Sequence, residues 1–219
     1  MNKSFEDEFL EVQAQIISLC VGFAENKADK VYAYGSIEEN SISFNAFFNI
    51  DGEIKTTNQI AADTDVIWDF LELGESDLEK LKQICAHHEK SVPTELKMIY
   101  DCKSGKIDTK YRYESICSAK TGIDASEIFM EWLDLEKIKQ HCEKVNQILR
   151  LDDPAAKSAK KIMNVMEQIR SCDTVDELPD VDWTSMVRCF VDETTDYQNP
   201  ALFEIDTIRN LSAGLKGKL

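Results

Sequence analysis

Alternating apolar and polar positions in the first half of the chain predict two β-hairpin regions. The clearer one reads ELKMIYDCKSGKIDTKYRYE from Glu95 to Glu114, two alternating runs on either side of a Lys-Ser-Gly-Lys turn. Gly105 supplies the backbone freedom that such a turn needs. Successive strand side chains point to opposite faces. Leu96, Met98 and Tyr100 therefore share one side of the first predicted strand. Ile107, Thr109, Tyr111 and Tyr113 share one side of the second.

The earlier hairpin region and two helical patterns complete the first half. Strands are predicted over residues 30–36, 41–50 and 53–57, with Asp51-Gly52 as a two-residue turn. Ser4 is a good N-cap for a helix whose apolar residues recur at helical spacing through Ala24. Ser76, after Gly74, is predicted to cap a second helix. Residues 63–73 carry apolar residues at helical spacing, but their secondary structure is ambiguous from the sequence.

Beyond residue 123 the spacing of apolar residues is helical throughout. Helices are predicted over residues 124–151, from Pro154 to 169, over 183–191 and over 201–215. The order predicts an α+β fold: an antiparallel sheet of two hairpin units with helices on one face, followed by an all-helical C-terminal half. We predict an α+β domain over residues 1–119, with residues 120–219 as a second domain or an extension of the first.

The net charge of the chain limits the kinds of molecule that it is expected to bind. The chain has 219 residues and carries 41 acidic against 25 basic side chains, a formal net charge of −16. Nucleic acid is an unfavourable ligand because binding phosphates requires a basic face. An acidic surface either steers a basic protein partner or merely keeps the chain in solution. No secretory signal is recognisable near the N-terminus and no apolar run is long enough to span a bilayer, so we expect a cytoplasmic protein.

Residues with catalytic or metal-binding chemistry are few. The seven cysteines are dispersed without any Cys-x-x-Cys pair, which favours reduced thiols. His87 and His88 are adjacent, and adjacent side chains on a helix point about 100° apart, which disfavours a shared metal ion. Asp63 and Asp65 form a doublet that is better explained by a capped helix start than by a nucleotide site. We therefore expect no enzyme activity, no cofactor and no metal.

Two acidic stretches interleaved with apolar residues are the candidate partner-binding surfaces. Their candidate residues are Asp63, Asp65, Trp68, Asp69 and Glu72 in the first stretch, and Asp173, Asp176, Glu177, Asp180 and Asp182 in the second. Each stretch is either a solvated face or an interface, and apolar neighbours such as Trp68 and Trp183 favour an interface. Both tryptophans also fit a place in the core.

The order of these elements resembles the YezG-like immunity proteins of bacterial toxin–antitoxin systems. The similarity lies in KVYAYGSIEENSISFNAFFNIDGEI, in the Asp-x-x-x-Gly-Lys turn from Asp101 to Lys106, and in the aromatic alternation at Tyr111 and Tyr113, and it covers residues 1–119. The resemblance implies a cytoplasmic inhibitor that binds a cognate toxin, often a nuclease. A protein-interaction scaffold and a metal- or nucleotide-dependent enzyme are the alternatives.

Overall fold

The structure, a computed structural model, describes residues 3–39, 41–115, 124–152 and 155–217. The chain divides into two units, Met1–Phe129 and Met130–Leu219. The predicted α+β fold class is confirmed, with an antiparallel sheet followed by helices. The predicted boundary between residues 119 and 120 lies outside the described residues, as does the predicted helix start at Pro154.

The first unit is built on a five-stranded antiparallel sheet with the strand order β3-β2-β1-β4-β5. Its strands are β1 (Lys30–Ile37), β2 (Ile42–Ile50), β3 (Glu53–Thr56), β4 (Glu95–Asp101) and β5 (Lys106–Arg112). Strand β1 pairs with both β2 and β4, so it joins the two hairpin regions into one sheet. Strand β5 is left at one edge.

Both predicted hairpin turns form as their residues require. Asp51 and Gly52 have φ values of 53° and 74°, and two positive φ values in a two-residue loop match the twist of the flanking strands. At the second turn Gly105 has a φ of 71°. There the Asp101 carboxylate accepts hydrogen bonds from the Ser104 N–H and hydroxyl at 2.7 and 2.8 Å, which holds the turn closed.

Two long helices cover one face of the sheet. They are α1 (Phe5–Phe23) and α3 (Thr64–His87), and the short α2 (Thr57–Ile60) precedes α3. Ser4 caps α1 as predicted, in a reciprocal capping box with Asp7. The core of this unit lies between these helices and alternate residues of the strands, among them Val31, Phe48 and Met98.

The predicted helix start at Ser76 is wrong. Helix α3 begins twelve residues earlier at Thr64, is capped by the Asp63 carboxylate, and continues without a break through Gly74. A β-carbon at Gly74 would lie 2.0 Å from the Phe44 ring of β2. The glycine therefore serves close packing of helix on sheet, and its low helix propensity does not end the helix because packing offsets it.

A second close contact between α3 and the sheet lies one helical turn further along the helix. Leu78 lies on Gly35 of β1, where a β-carbon would come within 2.7 Å of the leucine side chain. Gly35 and Phe44 are directly opposite each other in the β1–β2 pair. The Phe44 ring of the sheet therefore occupies the space above Gly74 of α3, and the Leu78 side chain of α3 occupies the space above Gly35 of the sheet.

The opposite face of the sheet is also partly covered. Helix α4 spans Ala125–Asp152, and Phe129 in its first two turns belongs to the first unit. Its ring centroid lies 5.9 Å from that of Tyr34 and 5.8 Å from that of Phe47. Burial on both faces explains why β1 reads as an almost continuous apolar run.

The second unit is helical over its described residues. It contains the remainder of α4, α5 (Lys157–Arg170), α6 (Trp183–Thr194), α7 (Pro200–Lys216) and a 3₁₀ turn at Val175–Glu177. Its core is formed by apolar residues from all four helices. Glu193 of α6 accepts hydrogen bonds from the Lys157 and Ser158 N–H groups at 2.8 and 2.7 Å, so one helix caps another. In the described ranges no helix has the length and apolarity to cross a membrane.

We expect Gly74→Ala to lower the free energy of unfolding by about 1–3 kcal/mol, since the added methyl group overpacks against Phe44. Gly22→Ala in α1 is the matched control, because a β-carbon there meets nothing within 4 Å. That control should be neutral or stabilising by up to about 1 kcal/mol. Urea denaturation followed by circular dichroism measures both, and equal stability of the two variants would contradict the packing role of Gly74.

The Glu193 cap should make stability depend on pH in the acidic range. Hydrogen bonds from Ser158, and from the Lys157 N–H, lower the pKa of Glu193. The folded state therefore favours the carboxylate, and this stabilisation is present above about pH 4.3, the ordinary glutamate value, and is lost as pH falls through the lowered pKa.

Glu193→Gln should remove this part of the pH dependence while Glu143→Gln, which removes an equal charge from an exposed position on α4, should retain it. Urea denaturation between about pH 3 and pH 7 spans the ionisation of ordinary carboxylates and decides the comparison. Parallel pH profiles for Glu193→Gln and the parent chain would show that the cap contributes nothing.

Candidate protein-binding site

The first acidic stretch forms the N-terminal half of α3. Asp63 caps the helix by accepting a hydrogen bond from the Asp65 N–H at 3.0 Å. The remaining predicted residues, Asp65, Trp68, Asp69 and Glu72, follow at spacings of three and four and are all exposed. Residues at these spacings share one side of a helix, so the structure brings this predicted set together on one surface.

Trp68 is the most unusual member of this surface. Its exposed fraction is 65%, which is high for a residue type that is usually largely buried. The alternative that Trp68 belongs to the core is therefore wrong. Val66 and Leu73, with exposed fractions of 48% and 55%, lie at the other edge of the same exposed side of α3, and Asp65, Asp69 and Glu72 lie between them and Trp68. Exposed apolar side chains next to charged ones are typical of an interaction site.

We call this surface the acidic-aromatic face; it consists of Asp65, Val66, Trp68, Asp69, Glu72 and Leu73. At 100° per residue these positions fall within an arc of about 160°. The buried residues of α3, among them Phe70, Gly74 and Leu78, occupy the opposite side. One side of α3 therefore packs on the sheet, and the opposite side is exposed to solvent.

Within the described residues, no lysine, arginine or histidine forms an ion pair with the carboxylate of Asp65, Asp69 or Glu72. Five residues beyond Glu72, by contrast, the Asp77 carboxylate pairs with Lys80 at 2.7 Å. Uncompensated charges of one sign produce a field that attracts a partner of opposite sign. The face therefore offers a negative potential around an apolar anchor.

The second acidic stretch is different, although its five predicted residues, Asp173, Asp176, Glu177, Asp180 and Asp182, are also exposed. Glu177 accepts a hydrogen bond from the Asp173 N–H at 2.6 Å. Asp182 caps α6 by accepting from the hydroxyl and N–H of Ser185, and these bonds lower the pKa of Asp182. Much of this stretch therefore shapes a turn and a helix start.

The second unit has a groove that the sequence did not reveal. It lies between α6 and α7, has a volume of about 380 Å³, and is lined by Trp183, Val187, Val191, Leu202 and Ile205 among others. Ion pairs at its rim join Arg188 to Asp192 and Arg209 to Asp206. The helical spacing of these apolar residues predicted helices, but spacing alone does not show which apolar side chains remain uncovered.

Two histidines contact carboxylates, and four of the described cysteines are buried. His88 Nε2 lies 3.0 Å from the Glu8 carboxylate, and His141 contacts Glu204. Burial raises the pKa of the Cys142 thiol to about 12, so this residue is protonated at neutral pH. Six cysteines are free thiols and Cys117 lies outside the described residues. The described side chains include no group of three or more metal-ligating residues.

Comparison with known proteins gives no match to a family model and no curated relative. The resemblance of residues 1–119 to YezG-like immunity proteins therefore stays a prediction. The geometry and charge of the acidic-aromatic face are the basis on which a function can be argued.

Trp68→Ala should change the free energy of unfolding by no more than about 0.5 kcal/mol, because an exposed side chain contributes little to folding. Phe70→Ala, two residues along the same helix, should cost about 3–5 kcal/mol, because this ring is 3% exposed and packs on Phe23 and Phe44. Urea denaturation compares them. A large loss for Trp68→Ala would place that ring in the core.

Proposed function

We propose that this chain is a cytoplasmic immunity protein, which binds a cognate basic bacterial toxin such as a nuclease and inhibits it without chemistry of its own. The observation that carries the proposal is the acidic-aromatic face of α3, where Trp68 is 65% exposed among carboxylates that lack a counter-charge in the described residues. The resemblance of the first half to YezG-like proteins supports the same conclusion.

The chemistry of the face suits a nuclease. A nuclease binds phosphates through lysine and arginine side chains, and three carboxylates on one helix side offer those cations an alternative partner. Tryptophan is enriched among residues that dominate binding energy, while surrounding charges accelerate encounter. Trp68 is thus the anchor, and Asp65, Asp69 and Glu72 steer the partner toward it. The net charge of −16 extends this attraction over the chain.

The face is also held in place before a partner arrives. Gly74 and Leu78 fix α3 on the sheet by close contacts with Phe44 and Gly35, and the Asp63 cap orders the first turn. A preorganised surface loses less conformational entropy on binding. Rigid presentation of the anchor therefore favours tight inhibition.

The test begins with capture of the partner from the native cell and a titration of its activity with the purified chain. Reversal of Asp65, Asp69 and Glu72 to lysine should slow association by about tenfold or more at low salt, with the difference shrinking as salt rises. Trp68→Ala should instead raise the dissociation rate by about 10–100-fold, as expected for an interface anchor.

The matched control reverses three exposed acids outside both acidic stretches, Glu53, Glu143 and Asp152, and so makes the same change in net charge. This control should associate faster than the α3 variant at low salt. Equal association rates for the two triple variants would refute the assignment to α3. A captured partner whose activity is unaffected by the chain would refute inhibition.

The groove between α6 and α7 favours a second candidate function, a protein-interaction scaffold. Its apolar floor includes Val187 and Leu202, and Tyr197 stands 75% exposed at its border. Such a groove accommodates an apolar side of a partner segment. In this case the α3 charge variants would capture the partner as well as the parent chain does.

A further inference from the structure

We propose that two copies of this chain associate through β5, in an antiparallel register centred on Thr109, to form a continuous ten-stranded sheet from two five-stranded ones. This inference does not rest on the proposed function. It depends on three observations at the β5 edge: an open ladder, exposed apolar side chains, and a charge pattern that is complementary to itself.

The outer side of β5 has no strand partner among the described residues, since the strand order ends there. The strand is seven residues long and six of them are exposed. The opposite edge of the sheet, β3, has only four residues. The outer side of an edge strand offers backbone N–H and C=O groups with which another strand can pair, and a longer strand offers more of them, so β5 is the edge better suited to pairing.

Apolar side chains are exposed at this edge. Ile107, Tyr111 and Tyr113 have exposed fractions of 41%, 40% and 55%. Leu10 of α1, at 60%, precedes Gln13 by three residues, and Gln13 donates a hydrogen bond to the Tyr111 hydroxyl at 2.6 Å. Leu10 therefore lies on the side of α1 near β5. Pairing of two edges would bury part of this apolar surface.

The sequence of β5 is complementary to its own reverse. With Thr109 opposite Thr109 of the second copy, Asp108 faces Lys110 and Ile107 faces Tyr111, and each of these pairs occurs twice. Opposite charges and aromatic–aliphatic pairs directly across an antiparallel ladder stabilise it. This register also pairs all seven residues of the strand.

Registers shifted by one residue in the centre lose this complementarity. Centring on Asp108 places two aspartates together, and centring on Lys110 places two lysines together; like charges directly opposite are destabilising. The favoured register has one unfavourable feature, Lys106 facing Arg112 at each end. Arg112 already lies 3.8 Å from the buried Glu95 carboxylate, which offsets part of its charge.

The decisive experiment uses two single charge reversals, Asp108→Lys and Lys110→Asp, studied separately and mixed. Each alone turns both attractive pairs into repulsive ones and should weaken self-association by about tenfold or more. In an equimolar mixture, the two lysines of one variant face the two aspartates of the other, and both contacts become attractive again. Analytical ultracentrifugation should therefore find dimer for the parent and for the mixture, and monomer for each variant alone.

A cysteine scan of the strand tests the register. Opposite residues of an antiparallel pair have Cα atoms about 4.5–5.5 Å apart, within the range that a disulfide spans. With the exposed Cys189 replaced by serine, Thr109→Cys should give a covalent dimer under mild oxidation. Ile107→Cys is the control and should not, because position 107 faces Tyr111 of the second copy.

Three results would overturn the proposal. The first is a monomeric parent chain at concentrations up to about 1 mM, where even weak interfaces associate; pairing of β5 with a different protein would give this result. The second is a mixture of the charge variants that associates no better than either alone. The third is cross-linking of the Ile107→Cys variant that is as efficient as that of the Thr109→Cys variant.

Discussion

The contact between α3 and the sheet is the constraint on which the first unit depends. Gly35 and Phe44 lie opposite each other on β1 and β2, and Gly74 and Leu78 lie one turn apart on α3. Phe44 fills the space above the missing side chain of Gly74, and Leu78 fills that of Gly35. Protein interiors are packed as densely as organic crystals. The two contacts, each between a large side chain and a glycine, therefore fix the distance of α3 from the sheet and the rotation of α3 about its own axis.

The rotation of α3 in turn determines which residues a partner can reach. With Gly74 and Leu78 against the sheet, helical geometry turns Asp65, Trp68 and Glu72 to solvent. The acidic-aromatic face is therefore a consequence of packing on the other side of the same helix. Proposed function and fold are linked at this helix, because a loosened contact at Gly74 would also disorder the face.

Features that depend on residues close together in the sequence were predicted correctly. Alternation located the strands of both hairpins, Asp51-Gly52 located a turn that requires two positive φ values, and Ser4 located a helix start. Local rules failed at Gly74, since the weak helix propensity of glycine was interpreted as a break when close packing required its missing side chain. They also left Trp68 between core and surface, because its exposure depends on the rotation of α3. The edge position of β5 depends on strand order, which pairs residues distant in sequence.

Site-specific photo-cross-linking in the native cell tests the central claim, that a partner binds the outer side of α3. A photoreactive amino acid at Leu73, within the acidic-aromatic face, should form a covalent adduct with a basic protein. The same group at Leu151 on α4, which is 82% exposed, should not form this adduct. Adduct formation at position 151 with none at position 73 would contradict the account.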